Sequence, residues 1–442
     1  MEGMAAPQLL YCNSQQQSYA QHTFREGCGL RLASPLNLQT THVKRTAKAH
    51  YYRLQVAKRL LAHPASAKKP PAQEAGSRLV QLPASIQFPP LQCRFPLTFH
   101  PDYESVREEG QAWGLSVIGA SAPAEQHQAF LDGNYHLVGT VFFPNSISRR
   151  RLLLLTKLTT FTFIFDDVSE LTPPEEAAQL MRATMAILKG EATLLPPLTA
   201  AQSKMAALVW RYKTEVWDEM CKDMSPSFKE TIEGTMLTYI QSSWVDQGSE
   251  PHRTVEEYMS YRASAGGLVA YFNIVEYSLG MEMGDKLTTV PLLAQLRKAL
   301  VNHYLWANDL FSFPKELAQD GEYGRGIVGF FIRQAAASAP AAVDGFHVTI
   351  DLQEIIDKVW QMIQQEELLI CGLVEEIKTQ FPPASEVTTF VDACCAVLPC
   401  NLYWYTASGR YGLTHVTYPS STPTTVKLNR PSLSVSLKSL PF

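Results

Sequence analysis

Apolar residues recur every three to four positions along most of the chain after Pro96, and this spacing predicts long helices with short connections. Helix start signals accompany it. Residues 172–176 supply an N-cap threonine, two prolines and two acids ahead of an apolar series that ends near Gly190. Thr254 and Glu257 have the spacing of a capping box. These signals place helix starts independently of the apolar spacing.

The same spacing predicts helices over five further stretches: 199–224, 227–247, 291–319, 351–380 and 384–409. No convincing run of alternating residues predicts strands. The predicted fold class is therefore all-α, with a single large helical bundle, a flexible N-terminal extension and a C-terminal tail. We place the main fold at residues 91–417.

The two ends differ in composition from this main fold. Residues 1–90 form a basic, proline-rich extension, and its part from His63 to Pro90 is predicted to be a linker because repeated prolines resist helix and central strand. A transit peptide and a solvated arm both fit the extension, and composition favours the arm. Residues 418–442 are rich in Ser, Thr and Pro and are predicted to form a loose tail.

Composition narrows the class of protein. Hydrophobic residues make up 46% of the chain and charged residues 18%, which is below the roughly 25% of ordinary domains and favours a large buried interior. A net charge of -4 and a pI near 6.3 give no reason to expect nucleic acid as a partner. The eight cysteines lack metal-binding spacing, so we expect free thiols.

The longest apolar run, Leu152 to Phe165, is shorter than the roughly 20 residues needed to cross a bilayer. We therefore expect a buried helix and no stable membrane insertion. The first residues lack the pattern of a secretory signal, so the expected location is the cytoplasm.

A first acidic segment follows directly on that apolar run. Asp166 and Glu170 are four residues apart, so on a helix they share one face, where their oxygens can converge on a hard cation. Asp167 lies between them. Solvation at a helix end explains the same carboxylates equally well, so this segment alone leaves both readings open.

A second polar segment lies at Asn308, Ser312 and Glu316. Each four-residue step rotates only about 40° beyond a full helical turn, so an amide, a hydroxyl and a carboxylate form one stripe. This mixed set of oxygen ligands suits magnesium. In isolation it is also compatible with an ordinary polar face.

Together the motifs resemble those of class I terpene synthases, over about residues 95–412 and with the fungal sesquiterpene synthases as the nearest pattern. Asp166 to Glu170 resembles their aspartate-rich motif, although Glu170 stands where aspartate is commoner. Asn308, Ser312 and Glu316 resemble their second metal-binding triad, although Pro314 stands within the motif.

Further motifs extend the resemblance. Arg262 resembles the diphosphate-sensing arginine, and a helix break follows it at Gly266 and Gly267. Arg410 and Tyr411 resemble the closing Arg-Tyr pair, and Trp404 stands six residues earlier, where an active-site aromatic is expected.

The resemblance implies three magnesium ions, which manganese can replace, held between the two motifs around a diphosphate. It implies that Arg262, Lys315 and Arg410 donate charge-assisted hydrogen bonds to the diphosphate and that Tyr411 offers its hydroxyl. Aromatic rings would stabilise the carbocation. The candidates are Phe99, Trp113, Phe163, Phe311 and Trp404. No separate general base is evident.

The substrate implied by the resemblance is a prenyl diphosphate, with farnesyl diphosphate first and geranylgeranyl diphosphate second. A chain-elongating prenyltransferase is less favoured, because those enzymes resemble a pattern with two aspartate-rich motifs. A helical scaffold or prenyl-diphosphate-binding protein without turnover is the alternative from another class. The chain is expected to be a monomer or a homodimer.

Overall fold

The computed structural model describes residues 77–119, 122, 124–169, 174–191, 200–245, 254–320, 326–340 and 347–436. The predicted N-terminal extension up to residue 76 lies outside these residues, as does Glu170. The described residues belong to one compact unit.

Most of the described chain is helical, which confirms the predicted fold class. The first eight α-helices are α1 (Tyr103–Ile118), α2 (Ala124–Gly133), α3 (Tyr135–Phe142), α4 (Arg149–Ser169), α5 (Pro174–Leu188), α6 (Ala200–Tyr212), α7 (Asp218–Cys221) and α8 (Pro226–Val245). A π-helical turn, Lys213–Trp217, joins α6 to α7.

The second half of the chain supplies the remaining helices. They are α9 (Val255–Ala265), α10 (Leu268–Leu279), α11 (Lys286–Thr289), α12 (Pro291–Asp320), α13 (Ile327–Ser338), α14 (Leu352–Gln380), α15 (Glu386–Cys395), α16 (Val397–Ala407) and a final 3-10 turn, Gly409–Tyr411.

Local sequence signals fix where several helices begin. The backbone N–H of Glu257 donates to Thr254 Oγ1 at 3.1 Å at the start of α9, as a capping box requires. Asp351 Oδ1 accepts from the N–H of Glu354 at 3.1 Å and caps α14. Pro291 opens α12, where a missing N–H costs no intrahelical hydrogen bond.

The long helices α12 and α14 pack side by side. Asn302 Nδ2 donates to Glu366 Oε1 at 2.9 Å, and the buried His303 Nε2 lies 3.6 Å from Glu367 Oε2. Glu367 Oε1 also accepts from the backbone N–H of Arg94 at 2.5 Å, which ties the chain before α1 to this pair. These contacts hold the middle of α12 against α14.

Five short strands correct the prediction that the chain has none. They are β1 (Ser77–Gln81), β2 (Ser85–Phe88), β3 (His347–Thr349), β4 (Thr424–Lys427) and β5 (Ser432–Ser436), and they form one sheet of order β3-β1-β5 and another of β2 with β4. The linker and loose-tail predictions are therefore wrong for these residues. The domain boundaries at residues 91 and 417 stay a prediction.

The strands form because distant segments pair. Ser77 pairs with Ser436 and Ser85 with Lys427, so these two ladders join the segment before α1 to the segment after the final turn. In β2 only Ile86 and Phe88 point inward, which is too short an alternation to stand out in the sequence.

The predicted helix at 384–409 is two helices, because the chain breaks after Cys395. Ser385 caps α15, and Ala396 separates it from α16. Within the described residues, Glu386–Ala407 is long and apolar enough to cross a membrane, yet 83% of this stretch is buried inside the fold. Its apolar composition therefore reflects core packing.

Candidate active site

A cavity of about 180 Å³ lies within the bundle, and both predicted metal motifs reach it. Its polar lining includes Asp166 of α4, Arg262 of α9, Asn308 of α12, and Arg410 and Tyr411 of the final turn. We call it the inner cavity. Residues that are up to 245 positions apart in the chain therefore surround one space.

Asp166 lies near the C-terminal end of α4, with 34% of its side chain exposed. Its Oδ2 is 3.8 Å from Arg410 Nη2, and the Arg410 guanidinium lies 5.8 Å from the centre of the Phe163 ring. Arg410 is itself buried. A cation, a carboxylate and an aromatic face thus meet at one end of the inner cavity.

The final turn is held in place by hydrogen bonds to α2. Ser408 Oγ accepts from the N–H of Arg410 at 3.2 Å and donates to the carbonyl of Gly133 at 2.7 Å. A side chain at Gly409 would lie 2.9 Å from the carbonyl oxygen of Asp132. The turn therefore presents Arg410 and Tyr411 from a fixed position.

The second motif lies in the middle of α12, which stays helical through Pro314. Ser312 Oγ donates to Glu316 Oε1 at 2.6 Å, so these two side chains share a face of the helix despite the proline. Ser312 is buried, whereas Glu316 and Lys315 are half-buried.

Asn308 connects the second motif to both predicted diphosphate-binding segments. Its Oδ1 accepts from Arg262 Nη2 at 3.1 Å, and its Nδ2 lies 3.5 Å from the Tyr411 hydroxyl. The polar groups of α9, α12 and the final turn therefore form one connected set.

Asp309 fixes Arg262, a role that the sequence reasoning missed. The carboxylate is 2% exposed and accepts from the Tyr258 hydroxyl, from Arg262 Nε at 3.3 Å and from the N–H of Ile327 at 3.0 Å. It thereby joins α9, α12 and the start of α13. The signal for it was an acid within a run of buried apolar residues.

Charge keeps Arg262 protonated. Burial is the largest single influence and works against the guanidinium, but Asp309, Tyr258 and Glu316 together outweigh it, so the pKa of Arg262 is raised well above its ordinary value. The arginine is therefore a permanent cation at the edge of the inner cavity.

The predicted helix break after Arg262 is confirmed. Helix α9 ends at Ala265, and Gly267 has a φ of +72° before α10 begins. A side chain at Gly266 would approach Leu305 to 2.6 Å and the Arg262 carbonyl oxygen to 2.9 Å. Glycine is thus required for the break to pack against α12 beside the inner cavity.

Comparison with known proteins agrees with this geometry. The family model described as Terpene synthase family 2, C-terminal metal binding matches residues 157–367, which include Asp166, Arg262, Asn308 and Glu316. The predicted resemblance to class I terpene synthases is therefore confirmed.

Its relatives include (3S,6E)-nerolidol synthase of Selaginella moellendorffii, which is 23% identical over 74% of this chain and 83% of that protein. Alpha-muurolene synthase of the fungus Coprinopsis cinerea is 23% identical over 74% of each. Aristolochene synthase from Penicillium roqueforti shares the fold, with a TM-score of 0.57 and 16% identity over 72% of this chain and 99% of that one. With the family comes the predicted enzyme class, a carbon-oxygen lyase of the terpene cyclase type.

The donor atoms of this terpene synthase suit a hard divalent cation. Asn308, Ser312 and Glu316 supply an amide, a hydroxyl and a carboxylate on one helix, and the Asp166 carboxylate lines the same cavity as Asn308. Among the described residues, no three His, Cys, Asp or Glu side chains cluster around a metal position. The candidate metal ligands therefore include neutral oxygens as well as carboxylates. The side chains of Asp167 and Glu170 lie outside the residues that the structure describes.

The predicted aromatic residues divide into two groups. Phe163 lines the inner cavity, stacked on Tyr135 with a ring-centre distance of 5.2 Å. Trp404 does not line it; this ring is fully buried behind Phe163 and Tyr411, at 4.9 and 5.1 Å. Trp404 therefore lies in the second layer of this structure, and its contact with substrate stays a prediction.

The other predicted aromatics lie away from the inner cavity. Phe99 is 39% exposed at the surface, and Trp113 donates to Glu215 Oε2 at 2.7 Å. Phe311 packs against Phe88 at the β2 side of α12, with a ring-centre distance of 5.0 Å. Besides Phe163, five further aromatic rings line the cavity wall: Phe142 at the end of α3, Phe143 directly after it, Tyr239 of α8, Tyr271 of α10 and Tyr304 of α12.

Proposed function

We propose that this terpene synthase ionises farnesyl diphosphate and cyclises the carbocation to a sesquiterpene, with release of diphosphate. The observation that carries the proposal is the inner cavity itself, where Asp166 and the Asn308 motif meet beside an aromatic wall. Relatives named as sesquiterpene synthases support the chain length of the substrate.

Four residues are proposed to receive the diphosphate. Arg262 and Arg410 are buried or half-buried cations beside the two motifs, and each would donate charge-assisted hydrogen bonds to phosphate oxygens. The Tyr411 hydroxyl would add a neutral donor. Lys315 lies seven residues after Asn308, hence on a similar face of α12, and is proposed to contribute charge.

The proposed metal ligands are Asp166, Glu170, Asn308, Ser312 and Glu316. Bound magnesium, as three ions or with manganese in its place, would neutralise the departing diphosphate as the carbon-oxygen bond breaks. In the structure, Asn308 accepts a hydrogen bond from Arg262, and Ser312 donates one to Glu316. These two hydrogen bonds would have to break before Asn308 and Ser312 could bind magnesium.

The protein must also keep water from the cation. Phe143, Tyr271 and Ile274 form an uncharged part of the cavity wall. The faces of its aromatic rings can stabilise a positive charge without acting as nucleophiles. The Gly266–Gly267 break borders this wall and is proposed to move when Arg262 engages diphosphate.

The test is incubation of the purified full chain with farnesyl diphosphate and magnesium. Volatile products are analysed by gas chromatography with mass spectrometry, and released diphosphate is assayed in parallel. We expect cyclic sesquiterpenes in magnesium or manganese and none in EDTA.

Parallel arms separate the alternatives. Geranylgeranyl diphosphate as the better substrate would indicate a diterpene synthase. Longer diphosphates formed with isopentenyl diphosphate would indicate chain elongation. Neither volatiles nor diphosphate from any substrate, including geranyl diphosphate, would identify a scaffold and overturn the proposal.

A further inference from the structure

A second concavity lies on the outer side of the wall that encloses the inner cavity. On α9, Arg262 lines the inner cavity, whereas Met259 and Ala263 line the outer one. On α12, Asn308 faces inward and Val301 outward. We call this space the outer groove; helices α13 and α14 complete it.

The outer groove is large enough for a ligand. Its volume is about 1250 Å³, compared with roughly 300–1,000 Å³ for ordinary small-molecule pockets. Along α12 it extends from Ala294 to Trp306, which is twelve residue steps or about 18 Å of helix. Its middle is apolar, with side chains from four helices: Met259, Val301, Trp306, Phe330 and Met362.

Three buried polar atoms in its lining have no hydrogen-bond partner in the described part of the chain. They are Arg297 Nε, Trp306 Nε1 and Glu366 Oε2. Trp306 is 7% exposed. Buried polar atoms without partners are rare in folded proteins, so the groove offers three polar atoms that a bound molecule or solvent can satisfy.

Cations border the apolar middle. Arg297 and Lys298 lie at one end, and Lys358 lies toward the other, beside Phe331. None of the three forms an ion pair within the residues that the structure describes, and Arg297 instead stacks 4.8 Å from the Phe272 ring centre. Burial lowers the pKa of Arg297, as expected for a cation that lacks a close carboxylate.

Acidic groups do not cancel this charge. Glu256 and Glu366 also line the groove, and burial raises the pKa of Glu366, although Asn302 donates to its Oε1. The positive sign disfavours the chain's own first 76 residues as occupant, because they carry ten Lys or Arg against three acids.

We propose that the outer groove binds a single-chain amphiphilic anion, with its tail along Val301 and Trp306 and its carboxylate or phosphate head at Arg297 and Lys298. The elongated apolar lining matches the tail of such a molecule, and the cations and N–H donors without partners in the structure match its anionic head. The site is separate from the predicted metal motifs and stands whether or not the chain cyclises farnesyl diphosphate.

Calorimetric titration of the full chain in EDTA tests the proposal with three probes. Palmitate and farnesyl monophosphate carry anionic heads, and farnesol has the farnesyl tail without charge. We expect saturable binding of at least one anion, at least about tenfold tighter than farnesol. Comparison of the two anions distinguishes a fatty acid from a prenyl phosphate. The R262Q/R410Q double variant lacks both cations of the inner cavity and should bind equally well, which separates this site from the inner cavity.

Two neighbouring exposed residues of α12 give a matched pair of variants. Ala294 lines the outer groove and Gln295 does not. Ala294→Trp should weaken anion binding at least about tenfold, while Gln295→Trp should leave it unchanged. Reversing the exposed charges, in K298E/K358E, should weaken the anions and spare farnesol.

Several results would overturn the proposal. The first is that the unmodified protein shows no saturable anion binding. The second is that A294W binds the anions as tightly as the unmodified protein does. If A294W does not fold, unchanged anion affinity in K298E/K358E has the same meaning. A dimer in sedimentation that A294W dissociates would instead make the groove a contact between two copies of the chain.

Discussion

The two predicted metal motifs differ in how the fold holds them. Asp166 lies near the C-terminal end of α4, where the last carbonyl groups have no partner within the helix. About a third of its side chain is exposed. Asn308 and Ser312 instead lie within a 30-residue helix and already bond to neighbouring side chains.

Under the proposed function, this difference would give the motifs different tasks. The second motif would act as a fixed template, because its oxygens are positioned before any ligand arrives and need only exchange partners. The first motif would adjust its carboxylate to the cations that the template holds. Damage to the template should therefore be the more severe.

The largest effect is expected for Asn308→Ala. This change removes an oxygen ligand and the acceptor for Arg262 together, so turnover should fall by at least about 100-fold with little change in thermal stability. Asp166→Ala should cost less, because Asp167 and Glu170 remain nearby. Steady-state kinetics at several magnesium concentrations measure both. Gln295→Ala, on the exposed surface of the same helix, is the control, and greater damage from D166A than from N308A would reverse the comparison.

A somewhat smaller effect is expected for Arg410→Ala, which removes the cation facing the first motif. Loss of a charge-assisted hydrogen bond to diphosphate should raise KM by about 10- to 100-fold. Incomplete closure should also release acyclic alcohols. Arg410→Lys keeps the charge but loses the planar fork and should recover part of the affinity. Kinetics and product analysis that match the unmodified enzyme would reject this role.

Helix ends were predictable because their causes are local. The predicted 291–319 and 351–380 agree with α12 and α14 to within one residue, since Pro291 and Asp351 signal helix starts on their own. The strands were not predictable in this way. Their hydrogen-bond partners lie more than 250 residues away, and no local pattern encodes them.

The site divides along a similar line. Spacing placed Asn308, Ser312 and Glu316 on one face, because that is a property of a single helix. Whether a ring such as Trp404 faces the cavity or the layer behind it depends on how several helices are rotated against each other. The role of Asp309 likewise required the positions of α9 and α13.

Asp309 explains why the template is fixed, and Asp309→Asn should loosen it. The change removes the charge that orients Arg262 and leaves that guanidinium half-buried without its carboxylate. We expect a loss of about 1–3 kcal/mol in the free energy of unfolding and roughly a tenfold fall in turnover, with KM for diphosphate substrate raised. Tyr258→Phe removes one hydrogen bond to the same carboxylate and should show a smaller change of the same kind. A loss of stability with unchanged kinetics would leave Asp309 a purely structural role.

The smallest effect on rate is expected at the wall opposite the motifs, where neither template nor adjustable carboxylate acts. Tyr271 lines the inner cavity and is 7% exposed, and its hydroxyl has no partner among the described residues. Burial raises the pKa of Tyr271 well above its ordinary value, so the phenol stays neutral and can hold a water molecule near the cation.

Tyr271→Phe should therefore alter which product forms more than how fast it forms. Removing an unpaired buried hydroxyl costs little, so the thermal midpoint should stay equal or rise. Turnover should remain within about threefold, while the ratio of alcohol to hydrocarbon falls; a tenfold change in that ratio needs a shift of only about 1.4 kcal/mol between competing barriers. Tyr212→Phe, a fully buried tyrosine that stacks on Phe161 outside the cavity, is the matched control. An identical product ratio in both variants would show that the wall acts by shape alone and that selectivity owes nothing to the Tyr271 hydroxyl.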